Sequence, residues 1–331
     1  MTKDSVLAAL LQSENYISGE TISRSLQISR AAVNQAVKVL RAEGYEIESV
    51  TNRGYRLLSS PDRITRGSLE AVLGSERMDH VLYYETADST NRRLAEYVLA
   101  HPDAPNGLIA LANEQTAGRG RRGRSFASPK NMGIYLSLLI RPESFGTDPA
   151  SPANWTALTS WTAVAVCNAI EKVYGIRPGI KWVNDLLLDK KKICGILTQM
   201  DMETETAEIR DIIIGIGVNV QEEEQDFPEE LRAIAGSLFQ TTGKHRPRSV
   251  LAAEMIRELD TLCAAWPEGH AAYLAQYRKD SLVTGRPIRV ITVSGEKEAI
   301  AEGIGDDFAL HVCYPDGTAQ ELRGGEISVR L

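Results

Sequence analysis

Cysteine is scarce: the chain has four, Cys167, Cys194, Cys263 and Cys313, far apart and with no Cys-x-x-Cys pair among them. That excludes a disulfide framework and a structural zinc ribbon, and in their apolar surroundings the four are expected to be buried free thiols. The five histidines fall at no metal-ligand spacing, so no tightly bound metal is expected. No apolar run approaches the roughly 18 residues that span a bilayer, and Met1-Thr2-Lys3-Asp4 lacks a secretory hydrophobic region, so a cytoplasmic protein with no membrane partner is expected. Positive charge is not in excess either. A net charge of -7 argues against indiscriminate nucleic-acid binding, and any contact with DNA has to come from a local surface.

What is present is a chain of 331 residues with 43% apolar and 24% charged residues, ordinary for globular protein and long enough for two or three domains. Residues 1–60 read as one of them. Val6, Leu7, Leu10 and Leu11 fall at helical spacing, Ser18 can cap a second helix carrying Ile22 and Leu26, and Ser29 can cap a third carrying Val33, Val37 and Leu40. Tyr45–Glu48 and Gly54–Leu57, separated by Thr51-Asn52-Arg53, read as a hairpin. Three helices and a hairpin make a winged helix-turn-helix. Its third helix would offer Arg30, Asn34, Gln35, Lys38 and Arg41 to operator DNA, with Arg53 at the wing tip. Seven Lys or Arg against six Asp or Glu leave this unit a net charge of only +1, so a homodimer reading two half-sites is favoured over a monomer.

After the linker Ser59-Ser60-Pro61-Asp62, residues 63–272 mix strands with helices. Val81–Glu85, Leu108–Asn113, Ile134–Ile140, a hairpin over 182–200 and Ile209–Val220 read as strands; Ser89–Ala100, Asn154–Tyr174 and Arg248–Gln276 read as helices. This predicts an α+β sheet domain with helices against it. Residues 280–331 change to short alternating runs, Pro287–Val293, Ala299–Ile304, Ala309–Tyr314, Gln320–Arg323 and Glu326–Arg330, which predict a small β-barrel of the SH3 type.

Two motifs carry the chemistry. The segment Gly118-Arg119-Gly120-Arg121-Arg122-Gly123-Arg124, preceded by Gln115, packs four guanidiniums and three glycines into seven residues. Glycine lets a backbone approach a ligand, and arginine offers a permanently charged fork for carboxylate or phosphate; on composition alone a solvated basic turn or a nucleic-acid contact fits as well. The second motif is Lys181-Trp182-Val183-Asn184-Asp185, then Leu186-Leu187-Leu188, the turn Asp189-Lys190-Lys191, and Lys192-Ile193-Cys194-Gly195. Read as a hairpin, it brings Lys181, Asp185, Lys192 and Gly195 within reach of one pocket.

Together these motifs resemble the biotin protein ligase family, in its bifunctional form that joins a ligase to a biotin operon repressor. Ser89-Thr90-Asn91 upstream and Gly215-Ile216-Gly217-Val218-Asn219 downstream stand where that family has its other site segments. The resemblance implies a central domain of the class II aminoacyl-tRNA synthetase and biotin synthetase type. It implies activation of biotin with ATP and Mg²⁺ to biotinyl-5′-AMP, followed by transfer to a lysine of a biotin carboxyl carrier protein from acetyl-CoA carboxylase, with pyruvate carboxylase as a second source. Arg121, Lys192 and Asp185 would be catalytic. Ser89, Thr90, Asn91, Gln115, Gly118, Arg119, Gly120, Arg121, Arg122, Gly123, Lys192 and Gly195 would face biotin. Arg119, Arg121, Lys181, Asn184, Asp185, Asn219 and Arg330 would face the nucleotide. Val183 departs from the family, which has proline there, and this bears on local rigidity more than on chemistry. The alternatives are a lipoate ligase or octanoyl transferase of the same fold, and a non-catalytic repressor that senses a small acid.

Overall fold

A computed structural model describes residues 2–145, 152–203, 205, 208–292, 295–324 and 326–329. Contacts divide the chain into two compact units, Met1–Tyr83 with Arg246–Ala253, and Tyr84–His245 with Glu254–Leu331. The first begins with α1 (Thr2–Leu11), α2 (Gly19–Ser25) and α3 (Arg30–Ala42). Ser18 and Ser29 cap α2 and α3 as expected, accepting from the amides of Thr21 at 3.0 Å and Ala32 at 3.1 Å. A hairpin of β1 (Glu46–Val50) and β2 (Gly54–Ser59) follows, then α4 (Arg66–Leu73) and α5 (Ser75–Met78). Val6, Leu7, Leu10, Ile22, Val33, Val37 and Leu40 bury together with Tyr45 and Ile47. Helical spacing on three faces and alternation on one strand converge here on a single core.

The second unit is built on a seven-stranded sheet in the order β3-β4-β5-β9-β8-β7-β6. In chain order the elements are β3 (Val81–Tyr84), α6 (Thr90–Ala100), β4 (Ile109–Ala112), β5 (Ile134–Ile140), α7 (Pro152–Tyr174), β6 (Gly179–Lys181), β7 (Asp185–Leu188), β8 (Lys191–Met202) and β9 (Ile209–Val218). The pairings from β4 through β6 are antiparallel. β5 is buried at every position, which is why it shows an apolar run with no alternation.

Each face of the sheet has its own helix. Thr159 of α7 hydrogen-bonds Thr198 of β8 at 2.7 Å, while Asn91 of α6 reaches Gln199 of the same strand. Successive residues of a strand point to opposite faces, so α6 and α7 cover opposite sides.

The helix expected over Arg248–Gln276 is two: α8 is the short Leu238–Thr242, α9 spans Arg248–Ala265 and α10 spans His270–Asp280. Pro267 has no amide to donate and its ring clashes with the preceding turn; Gly269 follows at the start of α10. Beyond them lie β10 (Arg286–Thr292), β11 (Gly295–Ile304), β12 (Leu310–Cys313), β13 (Ala319–Leu322) and β14 (Glu326–Val329), an antiparallel sheet in the order β13-β12-β11-β10-β14. Among the described residues the outer strands β13 and β14 do not pair, so the expected barrel is described as an open sheet. Val293 and Arg330, the expected ends of two of these strands, lie outside the described residues. No helix among the described residues is long and apolar enough to cross a membrane.

All four thiols are free; Cys167 and Cys194 are buried, whereas Cys263 and Cys313 are partly exposed, a correction to the expectation that all four are buried. Burial pushes the Cys167 and Cys194 thiols well above their ordinary range, because a thiolate there would lose its hydration. Iodoacetamide at pH 8 should therefore alkylate no more than two thiols of the native protein, Cys263 and Cys313, and all four in urea, as read by intact mass. A second prediction concerns glycine. A methyl group at Gly215 would meet Asn91 Oδ1 at 2.3 Å, whereas at Gly303 nothing lies within 4 Å. In urea denaturation Gly215→Ala should lose about 1–3 kcal/mol of stability by overpacking, and Gly303→Ala should be neutral or gain up to about 1 kcal/mol from a less flexible unfolded chain.

Candidate functional site

Strand register assembles the site. Lys181 of β6 pairs with Asp185 of β7, Asp185 with Gly195 of β8, Gly195 with Gly217 of β9, and Gly217 with Tyr135 of β5. Directly paired residues project to the same face, so one transverse row carries a cation, a carboxylate and two bare backbone positions. Three of the four hairpin residues singled out in the sequence, Lys181, Asp185 and Gly195, stand in that row. The fourth, Lys192, pairs with Leu187 beside a bulge, and its ammonium reaches Asp185 Oδ1 at 2.7 Å. A β-carbon at Gly195 would lie 3.1 Å from Lys192 Nζ. The hairpin itself turns on Asp189 and Lys190, both at positive φ. That is the geometry a two-residue connection needs to follow the strand twist.

The arginine segment faces the row. It closes on itself as a tight hairpin, with the Gly120 amide donating to Arg124 O at 2.7 Å and the Phe126 amide to Gly118 O at 2.9 Å. Arg119, Arg122 and Arg124 are exposed; Arg121 is half-buried and donates to Asn184 Oδ1 at 2.9 Å. Asn184, itself buried, donates in turn to Ile196 O at 2.9 Å. One asparagine thus ties the arginine segment to β8. Phe126, two residues beyond the segment, was not among the residues singled out in the sequence. Its ring lies on the glycine pair, such that a β-carbon at Gly217 would meet it at 2.5 Å. The available signal was an aromatic residue immediately after a glycine-rich loop.

The third wall is the start of α6. Ser89 occupies the N-cap position with extended backbone, yet its side chain makes no cap hydrogen bond. Thr90 donates its amide to Gln115 Oε1 at 2.8 Å, and Gln115 Nε2 donates to Ser128 Oγ at 2.9 Å. Ser89, Thr90 and Asn91 are all buried. Asn219, at the end of β9, is spent locally: its amide donates to Gly236 O at 2.9 Å and its backbone N–H to Ile193 O at 2.8 Å, which pins the 221–236 segment beside Lys192. Arg330 lies outside the described residues.

Structure thus gathers Ser89, Thr90, Asn91, Gln115, Arg121, Lys181, Asn184, Asp185, Lys192 and Gly195 around one face of the sheet. Among the described residues no group of three or more His, Cys, Asp or Glu could hold a metal.

In the first unit, Arg30, Asn34, Gln35 and Lys38 are exposed along α3. Arg41 is different, because its guanidinium donates to Ile47 O at 2.9 Å and to Ser49 Oγ at 2.6 Å, tying α3 to the wing. Arg53 stacks on the Tyr16 ring at 4.1 Å.

Known proteins match these features. A model of the biotin/lipoate A/B protein ligase family matches residues 83–219, and a helix-turn-helix (HTH) domain model matches residues 2–56. The bifunctional ligase/repressor BirA of Bacillus subtilis (strain 168) is 36% identical over 298 residues, 89% of this chain and 88% of that protein. That of Escherichia coli (strain K12) is 31% identical over 325 residues, 98% of this chain and 96% of that protein. Among solved structures, the biotin protein ligase from Aquifex aeolicus in complex with biotin and ATP superposes with a TM-score of 0.62 at 25% identity, covering 76% of this chain and 98% of that one. The common extent of these matches, together with the site they enclose, shows that the chain belongs to the biotin/lipoate A/B protein ligase family.

Proposed function

We propose that this protein activates biotin with ATP to biotinyl-5′-AMP, passes the biotinyl group to a lysine of a biotin carboxyl carrier protein, and represses biotin genes through its N-terminal helix-turn-helix. The observation that carries the reading is the row Lys181–Asp185–Gly195–Gly217 faced by Arg121 and Lys192, in a chain whose bifunctional relatives match over nearly their whole length.

The first step brings a carboxylate against the α-phosphate of ATP. Two anions about 4 Å apart repel by roughly 4 kcal/mol at an effective dielectric constant of about 20, so fixed cations have to oppose that charge. Lys192 and Arg121 stand where they can do so, Lys192 beside Asp185 and Arg121 beside Asn184. The Lys192–Asp185 pair is partly solvated, with side chains 37% and 22% exposed, and a pair of that kind contributes about 0–1 kcal/mol. An incoming carboxylate or phosphate can therefore take Lys192 over at little cost, and Arg121 can exchange the neutral oxygen of Asn184 for an anion, which is the stronger partner.

Lys181 meets phosphate from the far end of the row. Asp185 is the carboxylate of the row, and a single carboxylate fits a Mg²⁺ held mainly by the nucleotide's own phosphates and water. That ion neutralises triphosphate charge. The Phe126 ring fills the space over the bare backbones of Gly195 and Gly217, so a ligand lies on them only with that ring moved aside, and Ser89, Thr90 and Gln115 offer neutral hydrogen-bonding groups to the ureido ring. Transfer follows by attack of the carrier lysine on the acyl carbon, with AMP leaving; a protein nucleophile is not required.

Repression rests on Arg30, Asn34, Gln35 and Lys38, which are exposed along α3, with Arg53 at the wing. The weak charge of this unit favours a homodimer on a two-fold operator. Three functional domains, 1–60, 63–272 and 280–331, are proposed on the same grounds. In the last of them β14 returns beside β10, which supports the SH3-type barrel.

Purified protein mixed with biotin, ATP, Mg²⁺ and a carrier domain should add one biotinyl mass to the carrier lysine, and lipoate should compete poorly. Lys192→Ala and Arg121→Ala should each lower kcat/KM for pyrophosphate release at least 100-fold with little change in Tm. Wild-type turnover by either variant would sink the assigned roles. Gel shifts on DNA selected for binding should tighten when biotin and ATP are added; equal affinity with and without them would separate repression from ligand sensing while leaving the ligase reading intact.

A further inference from the structure

The winged unit carries a net charge of only +1 over residues 1–60, yet its wing gathers two exposed guanidiniums, Arg53 and Arg56. Alternation on the hairpin explains the layout. Ile47, Tyr55 and Leu57 pack on the core, so Glu48 and Arg56, which pair directly across the strands, both stand on the outer face. A carboxylate opposite an arginine would ordinarily take it as a partner. Here it does not, and among the described residues neither Arg53 nor Arg56 has a carboxylate partner or an acceptor for its guanidinium.

Tyr16 accounts for this. Its phenol donates to the Glu48 carboxylate. Its ring carries Arg53 at 4.1 Å and Arg56 at 5.9 Å from the centroid, the second at the outer limit of a cation–π contact. The hydroxyl thus engages the acid while the ring collects the cations. Backbone pairing fixes the ring in place. Ile17 and Tyr55 exchange two hydrogen bonds of 2.9 Å each, so residue 17 lies along β2 in the manner of a third strand. Gly54 permits that approach: its φ is 103°, and a β-carbon there would meet Ile17 O at 2.2 Å.

We propose that Tyr16, Arg53 and Arg56 form a phosphate clamp at the wing, in which Tyr16 is the positioning residue that keeps both guanidiniums off Glu48 and presents them to the DNA backbone. The inference goes beyond the repressor reading and rests on it. A planar guanidinium stacked on a ring keeps its N–H edges open, and a phosphodiester is an anion that such a fork fits. The clamp also gives a nearly neutral unit the local positive surface that DNA requires. Phosphate contacts carry no sequence information, so the clamp sets strength and register while α3 reads the bases.

The full-length protein with biotin and ATP, titrated across a range of salt into a duplex selected for binding and into a random duplex of the same length, tests the proposal. Arg53→Ala and Arg56→Ala should each weaken binding to both duplexes by about fivefold or more, and should flatten the slope of log K against log salt by about one for every wing on the DNA. Tyr16→Phe keeps the ring but frees Glu48 to take an arginine, so binding should weaken about two- to fivefold. Glu48→Gln should gain more affinity in the Tyr16→Phe background than in wild type, because only there does the carboxylate compete for a guanidinium. Biotin transfer should be unchanged in every variant. Unchanged affinity and slope in both arginine variants would remove the clamp. No loss in Tyr16→Phe, or an equal gain from Glu48→Gln in both backgrounds, would remove the positioning role of Tyr16. Wild-type binding to the selected duplex keeps the repressor reading in either case, and a wild type that binds no DNA overturns both.

Discussion

The register of β8 between β7 and β9 is the constraint on which the site depends. Asp185, Gly195 and Gly217 stand in one row only because Asp185 pairs with Gly195 and Gly195 with Gly217. A slip of one residue would send Asp185 and the glycines to opposite faces and put Ile196 or Cys194 where the bare backbone now lies. The register is well defended. Ile193, Cys194, Ile196, Ile214, Ile216 and Val218 are all buried at 2% exposure or less, and any shift would expose a share of them at about 25 cal/mol for each Å² of apolar surface.

Around that row the site balances charge loosely and neutral hydrogen bonds tightly. Lys192 is held by a partly solvated partner that can be exchanged, Asp185, and Arg121 donates to the neutral oxygen of Asn184. Its neutral groups, Thr90, Asn91, Ser137 and Gln115, are bound to one another in a mostly buried network. The contrast matches the two chemistries required. Anionic groups arrive and leave during turnover, and a cation locked in a buried pair would be expensive to free. A neutral ring is recognised by the direction of its donors and acceptors, which demands side chains that do not rotate.

The first unit is simpler. Its folding rests on apolar spacing and two serine caps, and its outer surface carries the polar side chains of α3. Arg41 shows how such a surface is thinned by local structure, since a guanidinium that looks available in the sequence is committed to the wing backbone. Arg53, stacked on Tyr16, is instead held out at the wing.

The amino-acid sequence alone determined the elements and the motif chemistry, because both are local. Helical spacing with Ser18 and Ser29 marked the first unit, and the arginine-glycine segment with Lys181, Asp185 and Lys192 marked the site. Break points were legible in principle, and Pro267 with Gly269 could have divided the helix read as continuous from Arg248 to Gln276. Tertiary structure alone decided which residues share a row, that Phe126 lies on the glycine pair, and that Ser137 and Gln199 join the network beneath Thr90. These depend on strand order and register between segments distant along the chain, where β5 sits beside β9 and β9 beside β8. Spacing within a single segment carries no information about such pairings, because they are chosen by the burial that the whole sheet achieves at once.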